Sequence, residues 1–373
     1  MLKYPEPKSK AFMLSGENVK LVICTKRASY DACLTVEGVT YKDSFNDAEP
    51  YDRKTHVFYF PKKSVNEQSV LTLSLKKLKN GIFTYSHSFL FGQPEYADEN
   101  ALLSEYDNGL FPISSESEKV AEGVTYTHTL YNDKSGAPVH AFITDLEAGY
   151  ASVYVGTPGD SYERRKVRAT IPDMVSAAVK NGRNICAAVN ADYFDIFGDF
   201  HPSGLCVKNA ITVANPHSSR NFIATLKGGS HIITSLKESP DILKDILHAA
   251  SGLQMIVKGG EISDYAPLEP FSFTRHPRTA VGVRKDGSVI LIVVDGRIPD
   301  YSNGASLVDL ARLMISLGAD RAINLDGGGS SAMYTMRNGE LILHSRPADL
   351  FRPKAKLIRK DYNSLLVEVK KQS

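Results

Sequence analysis

Three apolar runs in this 373-residue chain each end in residues able to do chemistry. ICAAV (185–189) passes into Asn190 and Asp192, VILIVV (289–294) into Asp295 and Arg297, and AINL (322–325) into Asp326. Carboxylates placed this way can move a proton or attack an electrophilic carbon. An arginine among them can grip two phosphate oxygens at once. The segment RHPR (275–278) adds His276 and Arg278 just before another apolar run.

Asp326 opens the stretch DGGGSS (326–331). A Walker A loop would require a lysine after its glycines, and a dinucleotide fingerprint would require GxGxxG opening a helix. Neither pattern is present. Two readings stay open. One is a plain hairpin with turn residues. The other is a loop whose bare backbone admits a ligand, with the amides of Gly327, Gly328 and Gly329 and the hydroxyls of Ser330 and Ser331 meeting an anion. His201 and Gly204 in GDFHPSG, and Ser302 and Gly304 in YSNG, are further candidates to hold sugar hydroxyls or phosphate. The chain has no tryptophan, so stacking on a sugar would fall to Tyr193, Phe194 or Tyr301.

The elements that must position these residues have their own signatures. SLVDLARLMISLG (306–318) predicts a helix with Ser306 and Asp309 as a capping box, a Leu/Met core face and Gly318 as its stop. TIPDMVSAAVKNG (170–182) predicts a second helix ending at Gly182. Strand-like runs surround both, which predicts an α+β (mixed α/β) domain over 119–373. In α/β sheets, ligand sites gather at the C-terminal ends of strands. Residues 1–98 carry short Val-, Thr-, Phe- and Tyr-rich runs broken by turn residues, predicting a small β-sandwich-like accessory domain. The acidic, serine-rich stretch 92–123 shows no strand pattern and predicts a linker, centred on 99–118.

Bulk composition narrows the function classes. The net charge of +2 gives no case for nucleic acid or an anionic membrane surface. No run is long and apolar enough for a membrane-spanning helix. The N-terminus lacks an apolar signal region, predicting a cytoplasmic protein or export by a non-standard route. Cys24, Cys33, Cys186 and Cys206 form no CxxC pair and are expected as free thiols. Asp192, Asp195 and Asp326 offer oxygen donors to Ca²⁺ or Mg²⁺, in a spacing that matches no known cation loop.

The segment RTAVGV…VDGR…SNGASLVDLARLMISLGADRAINLDGGGSSAMY resembles the signature of the phosphodiester glycosidases. Asn190, Tyr193 and Phe194 are similar to that family's N-x-x-(F/Y)-F element. Arg346, Pro347, Ala348, Asp349 and Arg352 are similar to its RPADxxR tail. The resemblance covers about residues 120–370. Glycine is common in the family where Asp192 stands, and members are often secreted or lysosomal. The resemblance implies hydrolysis of the sugar–phosphate bond of a sugar-1-phosphodiester, such as an N-acetylglucosamine-1-phosphodiester glycan or a cell-envelope polymer, with no cofactor required. The leaving phosphomonoester is a weak base, so positive charge matters more than protonation. Arg278 and Arg297 would supply it. The oxocarbenium-like carbon calls for a carboxylate, with Asp326 first, then Asp295 or Asp192. A metal-dependent phosphodiesterase and a non-catalytic glycan-binding protein of envelope or phage-tail assembly are the rival readings.

Overall fold

The structure is a computed structural model that describes residues 9–15, 17–24, 31–42, 55–78, 82–94, 109–133, 135–162, 167–194, 201–215, 217–218, 220–263, 274–348 and 358–370. Asp195, Asp349, Arg352 and the centre of the expected linker lie outside the described residues. The chain divides into two compact units, Met1–Asp107 and Asn108–Ser373.

The first unit contains a three-stranded sheet (Ser9–Ser15, Asn18–Cys24, Thr55–Pro61) and a four-stranded one (Asp31–Val36, Val39–Lys42, Val70–Leu78, Ile82–Leu90). Residues two apart on a strand share a face. Val19, Leu21 and Ile23 of one sheet and Leu34, Leu71 and Leu73 of the other therefore meet in one core, completed by Phe58, Phe60 and Phe91.

The second unit is mainly β, which narrows the mixed α/β expectation. Its two α-helices among the described residues are ten residues each. The eight-stranded sheet runs, in order, Glu261–Ile262, Met255–Lys258, Arg321–Asn324, Arg278–Val283, Val289–Val294, Pro138–Leu146, Val124–Asn132 and Phe111–Ala121. A five-stranded sheet comprises Ala151–Gly156, Ser364–Val369, Ile185–Asn190, Met333–Arg337 and Glu340–Leu343. Val281, Leu291, Val293 and Ile323 of the first sheet face Val153, Val189, Leu365 and Val367 of the second across the largest core. The helix Leu307–Ser316 covers the outer face of the eight-stranded sheet with Leu307, Leu310, Leu313 and Met314. The helix Ile171–Lys180 covers the outer face of the five-stranded sheet with Ile171, Val175 and Ala178. Fully burying one such side chain stabilises the fold by roughly 1.5–3 kcal/mol. A second five-stranded sheet (Cys206–Lys208, Ile211–Ala214, Phe222–Leu226, His231–Thr234, Ile246–Ser251) adds Cys206, Val213, Ile223, Ile233 and Ala250 to the central core.

Both expected helices start on a complete capping box, Thr170 with Asp173 and Ser306 with Asp309. The expected linker needs correction. Its segment Phe111–Ala121 is the edge strand of the large sheet, and most of its residues are exposed. An edge strand wet on both faces carries no apolar alternation to announce it. Free thiols are found at Cys33, Cys186 and Cys206. Among the described residues no helix is long and apolar enough to cross a membrane.

Every strand pair bordering the chemistry is antiparallel, so the α/β rule does not place the site. Arg278 pairs with Val294 on one flank, and Ala280 pairs with Asn324 on the other. The start of the central strand thus lies beside the ends of both neighbours. That is how Arg278 comes to share a sheet edge with Asp295 and Asp326.

Gly304 is a packing residue at this edge. Its backbone is left-handed (φ 92°), and a Cβ there would stand 2.7 Å from the carbonyl oxygen of His276. Gly304→Ala is expected to cost about 2–3 kcal/mol, from backbone strain and collision together. Scanning calorimetry should register a midpoint lower by roughly 5–10 °C.

Candidate active site

The strand Ile185–Asn190 is buried along its whole length and ends in an amide with three partners. Asn190 Nδ2 donates to the main-chain oxygen of Asp326 at 2.6 Å. Its Oδ1 accepts from the Thr279 hydroxyl at 2.8 Å and from the Ala332 N–H at 3.3 Å. The Asp326 N–H donates to the Ala191 carbonyl at 2.9 Å. Both peptide groups of Asp326 are therefore fixed, and its side chain is left to face the site.

Asp326 is part-buried. One carboxylate oxygen accepts the Gly327 N–H at 2.9 Å. Burial pushes its pKa up to about 6, with Ser330, Arg359, the Gly327 amide and Arg297 acting against that rise. Such a carboxyl changes charge near neutral pH, as general acid–base groups do.

The glycine run shapes the floor, in a way the sequence reading did not anticipate. The Gly327 amide is used by Asp326, and the Gly328 amide donates to the Pro277 carbonyl at 2.9 Å. Two of the three expected anion-binding amides are therefore spent inside the loop. Gly328 has φ 62°, and a Cβ there would stand 2.8 Å from a terminal nitrogen of Arg297. The bare backbone makes room for a guanidinium beside Asp326. Gly329 is buried in the short turn Gly328–Ser330.

Arg297 is itself held in the left-handed region (φ 61°), a strained backbone of the kind found at functional sites. Its Nε and one terminal nitrogen approach His276 Nδ1 at 3.4 and 3.3 Å, and its other terminal nitrogen donates to the Ala348 carbonyl at 3.4 Å. Burial and the nearby charges of Arg278 and Arg297 lower the His276 pKa to about 4, so its ring is neutral and can accept. His276 thus serves to aim Arg297. Arg278, expected to bind phosphate, is only 1% exposed. It donates to the Ala305 and Thr274 carbonyls at 3.1 and 2.9 Å. Burial lowers its pKa to about 10, which still leaves it charged at neutral pH.

The remaining sequence candidates divide. Ser331 lies with its hydroxyl 3.3 Å from that of Thr279. Asp192 is buried; burial raises its pKa well above the usual carboxylate range, Arg220 opposes that rise, and the charge of Asp326 adds to it. Tyr193 is joined to the same region through the amide of Asn324, which donates to its phenol oxygen at 2.7 Å. Gly204 packs against Ser251, and His201 meets the ring of Tyr362 edge-on at 5.9 Å. Asp295 lies on the other flank of the strand Arg278–Val283. Its two oxygens accept the Arg346 N–H at 2.9 and 2.8 Å, and the Tyr301 hydroxyl donates to it at 3.1 Å. Burial pushes its pKa up to about 7. Ser302 donates to the Asp295 carbonyl at 2.6 Å. Among the described residues, no group of three or more His, Cys, Asp or Glu side chains is arranged to hold a metal ion.

Sequence reasoning missed Asp361. This carboxyl is 2% exposed and accepts the Ser330 hydroxyl at 2.9 Å, while Arg359 donates to the same hydroxyl at 3.2 Å. Burial, then the charge of Asp326, raises its pKa well above the usual range. The missed signal was the spacing of Arg359 and Asp361 just before the last strand, Ser364–Val369.

Residues 183–367 match the family model described as phosphodiester glycosidase. Human N-acetylglucosamine-1-phosphodiester alpha-N-acetylglucosaminidase is 24% identical over 214 residues, covering 52% of this chain and 38% of that protein. An uncharacterized SPbeta prophage-derived protein of Bacillus subtilis is 47% identical over 57 residues, covering 15% of this chain and 9% of its own. The chain thus spans well under half the length of these relatives. The catalytic domain of the zebrafish N-acetylglucosamine-1-phosphodiester alpha-N-acetylglucosaminidase has a similar fold, with a TM-score of 0.53 at 23% identity over 69% of this chain and 89% of that one. Residues 183–367 form a domain of the phosphodiester glycosidase family.

Proposed function

We propose that this chain hydrolyses the bond between a sugar's anomeric carbon and the phosphate oxygen of a sugar-1-phosphodiester. The observation that carries the reading is the placement of Arg297 against Gly328, two residues from Asp326, whose carboxyl feels its charge. Water adds at the anomeric carbon and gives up one proton, the C1–O bond breaks, and a phosphomonoester leaves with all four of its P–O bonds intact. Asp326 serves the carbon, where positive charge develops. Arg297 serves the departing phosphate oxygen, where negative charge develops. An N-acetylglucosamine-1-phosphodiester glycan or a cell-envelope polymer is the substrate class this reading adopts.

The ionised form of Asp326 does the work, so kcat/KM for the methyl phosphodiester of N-acetylglucosamine should rise with pH through about 6. The products should be free sugar and methyl phosphate. Sugar 1-phosphate as product would instead mark a phosphodiesterase, and tight binding without turnover would mark a glycan-binding protein.

Asp326→Asn is expected to lower turnover by roughly 10²–10⁴-fold. It should not lower stability. A carboxyl whose folded pKa is raised loses stability as pH climbs from its unfolded pKa through the folded one, and the amide carries no such cost. At pH 8 the variant should therefore melt no lower than wild type. A lower melting point would make Asp326 a structural residue.

Arg297→Lys keeps the charge and loses the planar fork aimed by His276. About a 10²-fold fall in kcat is expected, read in the same assay. An unchanged kcat would remove Arg297 from the phosphate.

A further inference from the structure

Arg346 has no role in the reading above, yet the structure invests heavily in its position. Its guanidinium carbon lies 3.8 Å from the centre of the Tyr301 ring. Tyr301 stacks on His140 with centroids 4.2 Å apart and planes 14° apart. His140 is joined edge to edge to His128 by a ring-nitrogen hydrogen bond of 2.8 Å, the two rings being 7° from parallel with centroids 5.0 Å apart, and His128 stacks on Phe142 at 4.9 Å and 11°. The result is a connected column of five planar groups, three face contacts and one hydrogen bond, with the arginine at its open end. Below it, Asp295 holds the Arg346 N–H with both oxygens and the Tyr301 hydroxyl with one. Main chain and ring are thus fixed by the same buried carboxyl.

The guanidinium itself is exposed, and among the described residues it makes no hydrogen bond or ion pair. A guanidinium held over an aromatic face is bound through its own flat face, which leaves its N–H donors available around its edge. Holding it there in advance reduces the entropy lost when an anion binds. Burial, with the charges of His128 and Arg346 adding to it, lowers the His140 pKa to about 4, so the imidazole adds no competing charge.

The column stands next to the proposed phosphate site. Arg297 and Tyr301 project from one loop, and Arg346 and Ala348 from one segment. The two are tied twice, at Asp295 to Arg346 and at Arg297 to Ala348. Arg346 and Ala348 are two residues apart, at most about 7 Å of chain.

The geometry points to Arg346, braced by Tyr301 and Asp295, as the site for a second anionic group on the leaving side of the substrate, making this chain selective for sugars linked through a diphosphate. This rests on the phosphodiester glycosidase reading and adds a substrate class to it. Arg346 is a binding residue, and Tyr301 and Asp295 are positioning residues.

The test compares UDP-GlcNAc, which carries two phosphates, with the methyl phosphodiester of N-acetylglucosamine, which carries one. Arg346→Gln should raise KM for UDP-GlcNAc at least tenfold with kcat nearly unchanged, and leave the methyl diester within twofold. Tyr301→Phe should lose less than Arg346→Gln, because the ring still underlies the guanidinium although its tie to Asp295 is gone. Tyr301→Ala should reproduce part of the Arg346→Gln loss. Equal effects on the two substrates, or none on either, would overturn the proposal. Calorimetric binding of UDP-GlcNAc to wild type and Arg346→Gln gives an arm independent of turnover. A tenfold weaker affinity in the variant supports the second anion site even if neither substrate is hydrolysed, a result that would sink the hydrolase reading alone. Equal affinity overturns the site.

Discussion

One buried amide, that of Asn190, holds the two central sheets in register where the chemistry is proposed. It sits at the end of a strand of the five-stranded sheet and bonds to Thr279 of the eight-stranded sheet, to Asp326 just past another of that sheet's strands, and to Ala332 on the way back. Hydrophobic cores tolerate small slips, because apolar contact has little directionality. An amide that must satisfy one carbonyl, one hydroxyl and one N–H in a dry setting does not, since each unmet group costs about 1–3 kcal/mol. The core between the sheets supplies most of the stabilisation, and Asn190 supplies the alignment. Asp326 inherits its position from that alignment.

The fold accepts a cost for what it places there. Asp192, Asp326 and Asp361 are all raised above the usual carboxylate range, first by burial, and the charge of Asp326 raises the other two further. Arg220, Arg297 and Arg359 offset part of this. Such a group gains from keeping its proton at neutral pH, and the one nearest ionisation is the one on the glycine loop. A core built only for stability would have used neutral residues at all three positions.

Much of this was legible in the sequence, for identifiable reasons. The helix Leu307–Ser316 and its capping box were readable because a cap and a stripe are local patterns. Asn190, Asp326 and Arg297 were readable because polar residues closing apolar runs are unusual enough to notice. Phe111–Ala121 was not, because an exposed edge strand of Ser, Glu and Lys has no buried face to leave a period. Asp361 was not, because it meets the glycine loop by bonding to Ser330, thirty-one residues away in sequence. The spent amides of Gly327 and Gly328 were not, because a glycine run reports conformational freedom and says nothing about where its N–H groups point.

The arginines show most clearly what residue type alone leaves open. Arg278, Arg297 and Arg346 are equal as sequence letters, and all three could be imagined on a phosphate. Arg278 is enclosed, with its donors turned to the Ala305 and Thr274 carbonyls, so it contributes a fixed positive charge and braces two loops. Arg297 is half-way out, aimed by a neutral histidine across a glycine that leaves it room. Arg346 is exposed and flat on a tyrosine. Charge is common to all three, and what separates them is where each guanidinium is held. An arginine gains specificity for an oxyanion by having its plane fixed before the ligand arrives while its donors remain unspent. In the proposed reading Arg278 shapes the field, Arg297 meets the first phosphate, and Arg346 meets the second.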